Sequence, residues 1–306
     1  MNGYEALHNA AASIDLSDRG KIRVTGDDRA RLLHALCTND VQNLAPGRGL
    51  YAFFLNEKGR ILADSLVYNL GECIWLDTEP EVKDKLLEHL DRYIIADDVS
   101  LTDETDSFAC LAIEGPQSLS QNRFPLPAHE FATEPFDGGF TARVSSTGAT
   151  GFRVFVPVTA KDRLEHTGFP RATAEEARIV RLENGIPRYG EDISDKYLLQ
   201  ETQIFHAVHL NKGCYLGQEI VERVRSRGQV HRLLVPVEIE GTKPPEAGTK
   251  LFLNDLEAGE VTSAAYSSSF GKIVGLVYMR REALESGTPL KAGGGEVRIR
   301  KLILAQ

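Results

Sequence analysis

One segment of the 306-residue chain gathers residue types that can do chemistry: Lys212-Gly213-Cys214-Tyr215-Leu216-Gly217-Gln218-Glu219, followed by Arg223, Arg225, Arg227, Gly228 and Arg232. Between Lys212 and Arg232 five Lys and Arg stand against Glu219 and Glu222, about +3 in a chain whose formal net charge is −9. Neighbouring cations favour the thiolate, which is the nucleophilic and metal-binding form of a cysteine. Cys214 is therefore the candidate reactive thiol, and Gly213 and Gly217 on either side allow tight turns and close backbone approach. The competing readings are structural: a free cysteine packs as a small hydrophobe, and spaced arginines pair with acids on a solvated face. His206 and His209, three residues apart, open a further possibility, a metal site shared with Cys214, though no third ligand at fixed spacing accompanies them.

Several other chemistries lack their signatures. There is no G-x-x-x-x-G-K-[ST], no strand-linked G-x-G-x-x-G, no G-x-S-x-G and no H-E-x-x-H. The four cysteines (37, 73, 110, 214) form no C-x-x-C pair, which argues against a disulfide framework or a thiolate zinc site. With 35 Lys and Arg against 44 Asp and Glu, no global positive field draws the chain to nucleic acid or to an anionic membrane. No apolar run approaches the ~20 residues of a membrane span. Met1 to Arg19 has the pattern of neither a signal nor a transit peptide, so the expected location is the cytoplasm.

The elements that must position the segment follow from periodicity. Lys21 to Val24 reads as a strand ending at Gly26, with Asp27 capping a helix that presents Leu32, Leu33 and Leu36. Leu50 to Leu55, the turn Asn56-Glu57-Lys58-Gly59 and Ile61 to Tyr68 read as a hairpin, and Cys73 to Leu76 as a third strand. Thr78 to Glu81 has the form of a capping box opening a helix through Val82, Leu86, Leu90 and Ile94. Phe108 to Ile113, Thr141 to Val144 and Phe152 to Val156 are further strands, and Thr173 to Glu176 is a second capping box whose helix stops at Gly185. This mixture argues an α+β fold. From His231 the texture changes to alternating Leu233, Val235, Val237 and Ile239 with frequent turns, which predicts a small all-β barrel. The expected division is an α+β part over residues 1–230 and a β-barrel over 231–306.

Lys212 to Glu219, with Arg223, Arg227-Gly228 and Arg232 behind it, resembles the K-G-C-[FYW]-x-G-Q-E signature of the YgfZ family, tetrahydrofolate-linked iron–sulfur cluster assembly and repair factors related to the T-protein of the glycine cleavage system. Further segments resemble the wider T-protein superfamily in order: Asp15-Leu16-Ser17, Val24 to Asp28, Thr38-Asn39-Asp40-Val41, Tyr51, Leu55 to Gly59, Asp64, Glu114-Gly115-Pro116 and Arg181 to Pro187. The resemblance implies a pseudo-threefold folate-binding part of two α+β subdomains around a central hole, with the barrel at the C-terminal end. It implies a tetrahydrofolate cofactor, Asp64 at the catalytic aspartate position, Tyr51, Arg223, Arg227 and Arg232 as folate or anion contacts, and folate and iron–sulfur client or assembly proteins as partners. The chain departs from that pattern in the turn Thr147-Gly148-Ala149-Thr150-Gly151-Phe152-Arg153, where aminomethyltransferases carry two pterin-holding acids, and at Ala177, where T-proteins place an arginine. The expected function is support of iron–sulfur clusters through the Cys214 loop. The alternative is a folate-dependent aminomethyl or one-carbon transferase using Asp64 as its acid–base group.

Overall fold

The computed structural model describes residues 1–120, 123–165, 167–228, 230–285, 290–292 and 295–300. Among these the chain runs through α1 (Gly3–Asn9), β1 (Ala12–Asp15), β2 (Gly20–Thr25), α2 (Arg29–Leu36), β3 (Arg48–Leu55), β4 (Ile61–Asn69), β5 (Ile74–Thr78), α3 (Lys83–Asp91), β6 (Ser100–Asp103) and β7 (Phe108–Glu114). It continues through β8 (Thr133–Phe136), β9 (Gly139–Ala142), β10 (Gly151–Pro157), α4 (Asp162–Glu165), α5 (Ala174–Glu183), α6 (Leu199–Thr202) and α7 (Gln218–Arg227). The last part comprises β11 (Arg232–Ile239), β12 (Lys250–Leu253), β13 (Leu256–Ser267), β14 (Lys272–Arg280), α8 (Arg281–Glu285), β15 (Leu290–Ala292) and β16 (Gly295–Ile299).

Three units result. A first antiparallel sheet has the order β3-β4-β5-β2-β6, a second β1-β7-β10-β9-β8, and β11-β14-β13-β12-β15-β16 close into a barrel. The hairpin at the head of the first sheet forms because Asn56 accepts the backbone N–H groups of Lys58 and Arg60, each at 3.0 Å, while Gly59 takes a φ of +68°. One face of this sheet packs on α2, α3 and α7 through Leu33, Leu36, Leu86 and Val221. Its other face meets the second sheet through Leu66, Tyr68, Trp75, Cys110, Phe140 and Phe155, with the last two rings stacked at 4.5 Å. On α5, Leu182 packs with Leu234, Val274 and Leu276 of the barrel.

The capping box at Thr173 is present: its hydroxyl accepts the Glu176 N–H at 3.2 Å, and Glu176 accepts the Thr173 N–H at 2.8 Å. The one expected at Thr78 is not. Thr78 ends β5 and donates its hydroxyl to the Asp64 carbonyl at 2.6 Å, so a neighbouring strand takes the oxygen that a cap would have used. Pro80–Val82 forms a single 3-10 turn and α3 starts at Lys83, still burying Val82, Leu86 and Leu90. At the other expected cap the N-cap position is Asp28, and its carboxylate accepts the Asp98 N–H at 3.0 Å instead of capping α2. Among the described residues no helix is long and apolar enough to cross a membrane.

Candidate functional site

A cavity of about 1280 Å³ lies where the three units meet, with Tyr51 and Asp64 of the first sheet, Ser146 of the loop before β10, Arg153 of β10, Glu183 of α5 and Leu276 of the barrel in its wall. That exceeds the ~300–1,000 Å³ of most small-molecule sites. The β3–β4 ladder places the first pair. Tyr51 lies opposite Leu66 and Phe53 opposite Asp64, so Tyr51 and Asp64 are diagonal neighbours on one face, within reach of a long side chain. The Tyr51 hydroxyl donates to Asp64 Oδ2 at 2.5 Å, while Oδ1 is buried without a hydrogen-bond partner. Burial pushes the Asp64 carboxyl up and the charge of Glu79 adds to it; the Tyr51 hydroxyl and Arg19 pull the other way, and the balance is about 6. A carboxyl poised there exchanges a proton near neutral pH.

Behind this pair runs a buried chain of charges. Asp77 of β5, fully buried, accepts Arg19 Nε at 2.6 Å and pairs with Arg153 of β10, which also donates to Ser146 Oγ at 2.8 Å. Burial would raise the Asp77 pKa, but the guanidinium groups of Arg153 and Arg19 outweigh it and hold the group below its ordinary value. Arg19 also pairs with Glu79, which Arg188 reaches from the other side at 2.9 Å. Glu114, fully buried, accepts Ser145 Oγ at 2.8 Å and the N–H groups of Ser146 and Thr147 at 2.6 and 3.0 Å, fixing the loop that carries Ala149 into the cavity wall. Ala177 lines the cavity as well.

The residues from 212 to 232 stand elsewhere. Cys214 is exposed, on the turn leading into α7 and outside the cavity lining. Lys212 is turned inward: its ammonium donates to the carbonyls of His34, Cys37 and Asn39 at 2.5, 2.7 and 2.8 Å, satisfying the end of α2. Gly217 adopts φ +82°, and a Cβ there would stand 2.8 Å from the Asn56 carbonyl. Gly213 is exposed, Tyr215 is buried, and Gln218 accepts the Tyr215 N–H at 3.2 Å. The local positive charge is largely spent on α7 itself, Arg223 pairing with Glu219 at 2.6 Å and Arg225 with Glu222 at 2.7 Å. Arg227 ends α7, its side chain lying outside the described residues. Arg232 bonds Glu201 at 2.9 Å and lies over the stacked rings of Tyr197 and Tyr278, joining the barrel to α6.

His206 and His209 are not gathered with Cys214 into a group of three His, Cys, Asp or Glu able to hold an ion; no such group occurs among the described residues. His206 sits in a 3-10 turn beside Tyr51. Sequence reasoning missed Asp77, Glu79 and the cavity role of His206. A lone aspartate inside the apolar run Ile74-Trp75-Leu76-Asp77 was the available signal for the first.

Comparison with known proteins agrees with the architecture. Residues 2–123 match the profile of the GCVT N-terminal domain, and residues 232–302 that of the glycine cleavage T-protein C-terminal barrel domain. An aminomethyltransferase of Rubrobacter xylanophilus is 32% identical over 312 residues, covering 97% of this chain and 82% of the relative. One of Bacillus subtilis is 29% identical, covering 98% and 87%. The crystal structure of the glycine cleavage system aminomethyltransferase T from Bartonella henselae superposes with a TM-score of 0.87 at 23% identity, over 98% of this chain and 88% of that one. The fold is that of the T-protein aminomethyltransferases, with a closed six-stranded barrel at its C-terminal end.

Proposed function

The chain belongs to the glycine cleavage T-protein family, and from that premise we propose that it is a folate-dependent one-carbon transferase, taking a tetrahydrofolate in the central cavity and an aminomethyl group from a carrier. The observation that carries this reading is Asp64: a buried carboxyl raised to about 6, one oxygen held by Tyr51 and the other without a protein partner, at the wall of the cavity. The residues present fit such a ligand. The cavity has the volume, and an amine N–H would supply the partner that Asp64 Oδ1 lacks. Arg153, standing where the resemblance implies an acid, is neutralised by Asp77, so it leaves no isolated charge in the cavity.

When bound, the tetrahydrofolate supplies the secondary amine that accepts the one-carbon unit. Tyr51 holds Asp64 in one orientation. Above pH 6 the carboxylate can accept the amine proton at Oδ1 and pass it on as the transfer completes, the amino nitrogen leaving as ammonia and the carrier as its free thiol, while burial keeps bulk water from competing for that proton. General acid–base groups of this kind contribute about 10²–10⁴ in rate. The test is formation of methylene-tetrahydrofolate from tetrahydrofolate and an aminomethylated lipoyl carrier. Wild-type protein should form product and Asp64→Asn should lose at least about a hundredfold; wild-type product no higher than a heat-killed control refutes the proposal.

A second reading, support of iron–sulfur clusters in client proteins in the manner of the YgfZ family, is favoured by one observation. Cys214 is exposed on a loop pinned at both ends, by Lys212 and by Gly217. Complementation of a strain lacking its YgfZ-type factor tests it: wild type should restore cluster-enzyme activity and Cys214→Ala should not. Equal rescue by both removes the thiol from the account.

A further inference from the structure

Asp64, Asp77 and Glu79 share one face of the first sheet, and among the described residues only Asp64 has no paired cation. In the β4–β5 ladder Leu66 lies opposite Asp77, and the same register carried two residues on sets Asp64 opposite Glu79, just past the end of β5. The Thr78 hydroxyl, on the Asp64 carbonyl at 2.6 Å, holds the two chains together at that point. Side chains alternate along a strand, so Asp64, Leu66, Asp77 and Glu79 fall on the same side, and all four line the cavity. Like charges directly opposite one another across a ladder repel.

Glu79 is fixed in its charged form. Arg19 pairs with it from the segment before β2, and Arg188 from the segment after α5, with its Nε at 2.9 Å. Burial would raise the Glu79 carboxyl, but Arg19 and Arg188 outweigh burial and hold it below its ordinary value. Asp64 has the opposite balance. Burial and then the charge of Glu79 push it up, against the Tyr51 hydroxyl and Arg19. The Tyr189 hydroxyl, from the segment that carries Arg188, donates to the Leu62 carbonyl at 2.7 Å. Two facing carboxyls thus hold different protonation states near neutrality, as acid–base sites require.

Arg188 ties this arrangement to the rest of the molecule. Its N–H donates to Asp192 Oδ2 at 3.1 Å, and Asp192 Oδ1 accepts the Thr262 hydroxyl of β13 at 2.6 Å. Arg181 of α5 holds the same aspartate at 2.7 Å. Beyond Glu79, the Arg188 guanidinium donates to both Glu81 oxygens, at 2.6 and 2.9 Å. The seating of α5 and the barrel therefore fixes the cation that offsets Glu79.

We propose that Glu79 is a positioning residue for proton transfer, a standing negative charge opposite Asp64 that favours its protonated form, with Arg188 moderating that charge. The role deepens the transferase reading and rests on it for the use made of the proton, while the charge opposite Asp64 does not depend on it.

Infrared titration of the protonated-carboxyl band that is missing from Asp64→Asn reads Asp64 directly, whether or not the protein turns over a folate. The wild-type midpoint should lie at about 6. Glu79→Gln should lower it by about one pH unit, the effect of removing one close like charge. Arg188→Gln should raise it by about half a pH unit, because Glu79 and Glu81 then act unopposed from that side. Arg188→Lys keeps the charge and should stay near wild type. The opposite signs separate charge from packing: a loosened wall would admit water and lower the Asp64 midpoint in both Gln variants. An unchanged midpoint in Glu79→Gln, or a lowered one in Arg188→Gln, overturns the proposal. The pH–rate profile for methylene-tetrahydrofolate formation should move with the infrared midpoint in Glu79→Gln. Absence of product from the wild type overturns the transferase reading instead, and the infrared shifts still decide the role of Glu79.

Discussion

Replacing Asp64 by Asn should change how stability depends on pH. The wild-type carboxyl titrates near 6 in the folded chain, against an ordinary value of 3.8. Below about pH 3 it is protonated in both the folded and the unfolded chain and contributes nothing to their difference. As pH rises the unfolded carboxyl ionises first, while the folded one keeps its proton until about 6, so the folded state is progressively disfavoured. At 1.36 kcal/mol per pH unit, the gap between 3.8 and about 6 is worth about 3 kcal/mol, fully developed above pH 6. The amide of the variant does not titrate. It keeps an oxygen for the Tyr51 hydroxyl, and any constant cost of burying its nitrogen drops out of the comparison. Urea unfolding of both proteins at a series of pH values from 3 to 8 should show the wild type losing about 3 kcal/mol relative to Asp64→Asn across that range. A difference that stays constant to within about 1 kcal/mol, or moves in the opposite sense, refutes the buried, raised carboxyl on which the site depends. A stability deficit of this size, relieved by removing the reactive group, is a familiar signature of a functional site.

Asp77→Ala should destabilise the folded chain by about 3–5 kcal/mol, because Arg19 and Arg153 would both remain buried without their shared partner; urea unfolding at pH 7 measures it. Lys212→Met should cost about 2–3 kcal/mol by leaving three carbonyls at the end of α2 without their charged donor, and a cost below 0.5 kcal/mol would contradict that capping role. In the folded protein a thiol-reactive aromatic disulfide should label Cys214 rapidly and leave Cys37, Cys73 and Cys110 until unfolding, since all three are buried. The rapid phase should vanish in Cys214→Ser.

Local signals carried far in this sequence. The Asn56 to Gly59 turn sets the hairpin that holds Tyr51 and Asp64, and Thr173 with Glu176 opens α5 as a capping box should. The alternating residues after Arg232 become the first barrel strand. Readings failed where a polar residue was claimed by a distant partner. Thr78 and Asp27 look like helix caps, yet the Thr78 hydroxyl serves Asp64, and the N-cap position falls one residue on at Asp28, whose carboxylate serves Asp98. Lys212 reads as part of a cationic surface, yet it caps a helix some 175 residues earlier in the chain. The pairing of Arg153 with Asp77 across 76 residues, and the meeting of Phe131 with His206, leave no trace in local spacing. Cys214 is as accessible as its glycine neighbours suggest, but the arginines gathered around it are engaged along α7.

The central claim is that the cavity between the sheets and the barrel receives a tetrahydrofolate against Asp64. Equilibrium binding of tetrahydrofolate to wild-type protein and to Leu66→Trp tests it most directly, because Leu66 lies in the cavity wall two residues from Asp64 and the larger side chain would occupy ligand space while leaving the Asp64 carboxyl itself in place. The account predicts one saturable site per chain in the wild type, lost in a Leu66→Trp protein that retains its fold by circular dichroism. Undiminished binding in that variant, or none in the wild type, would contradict it.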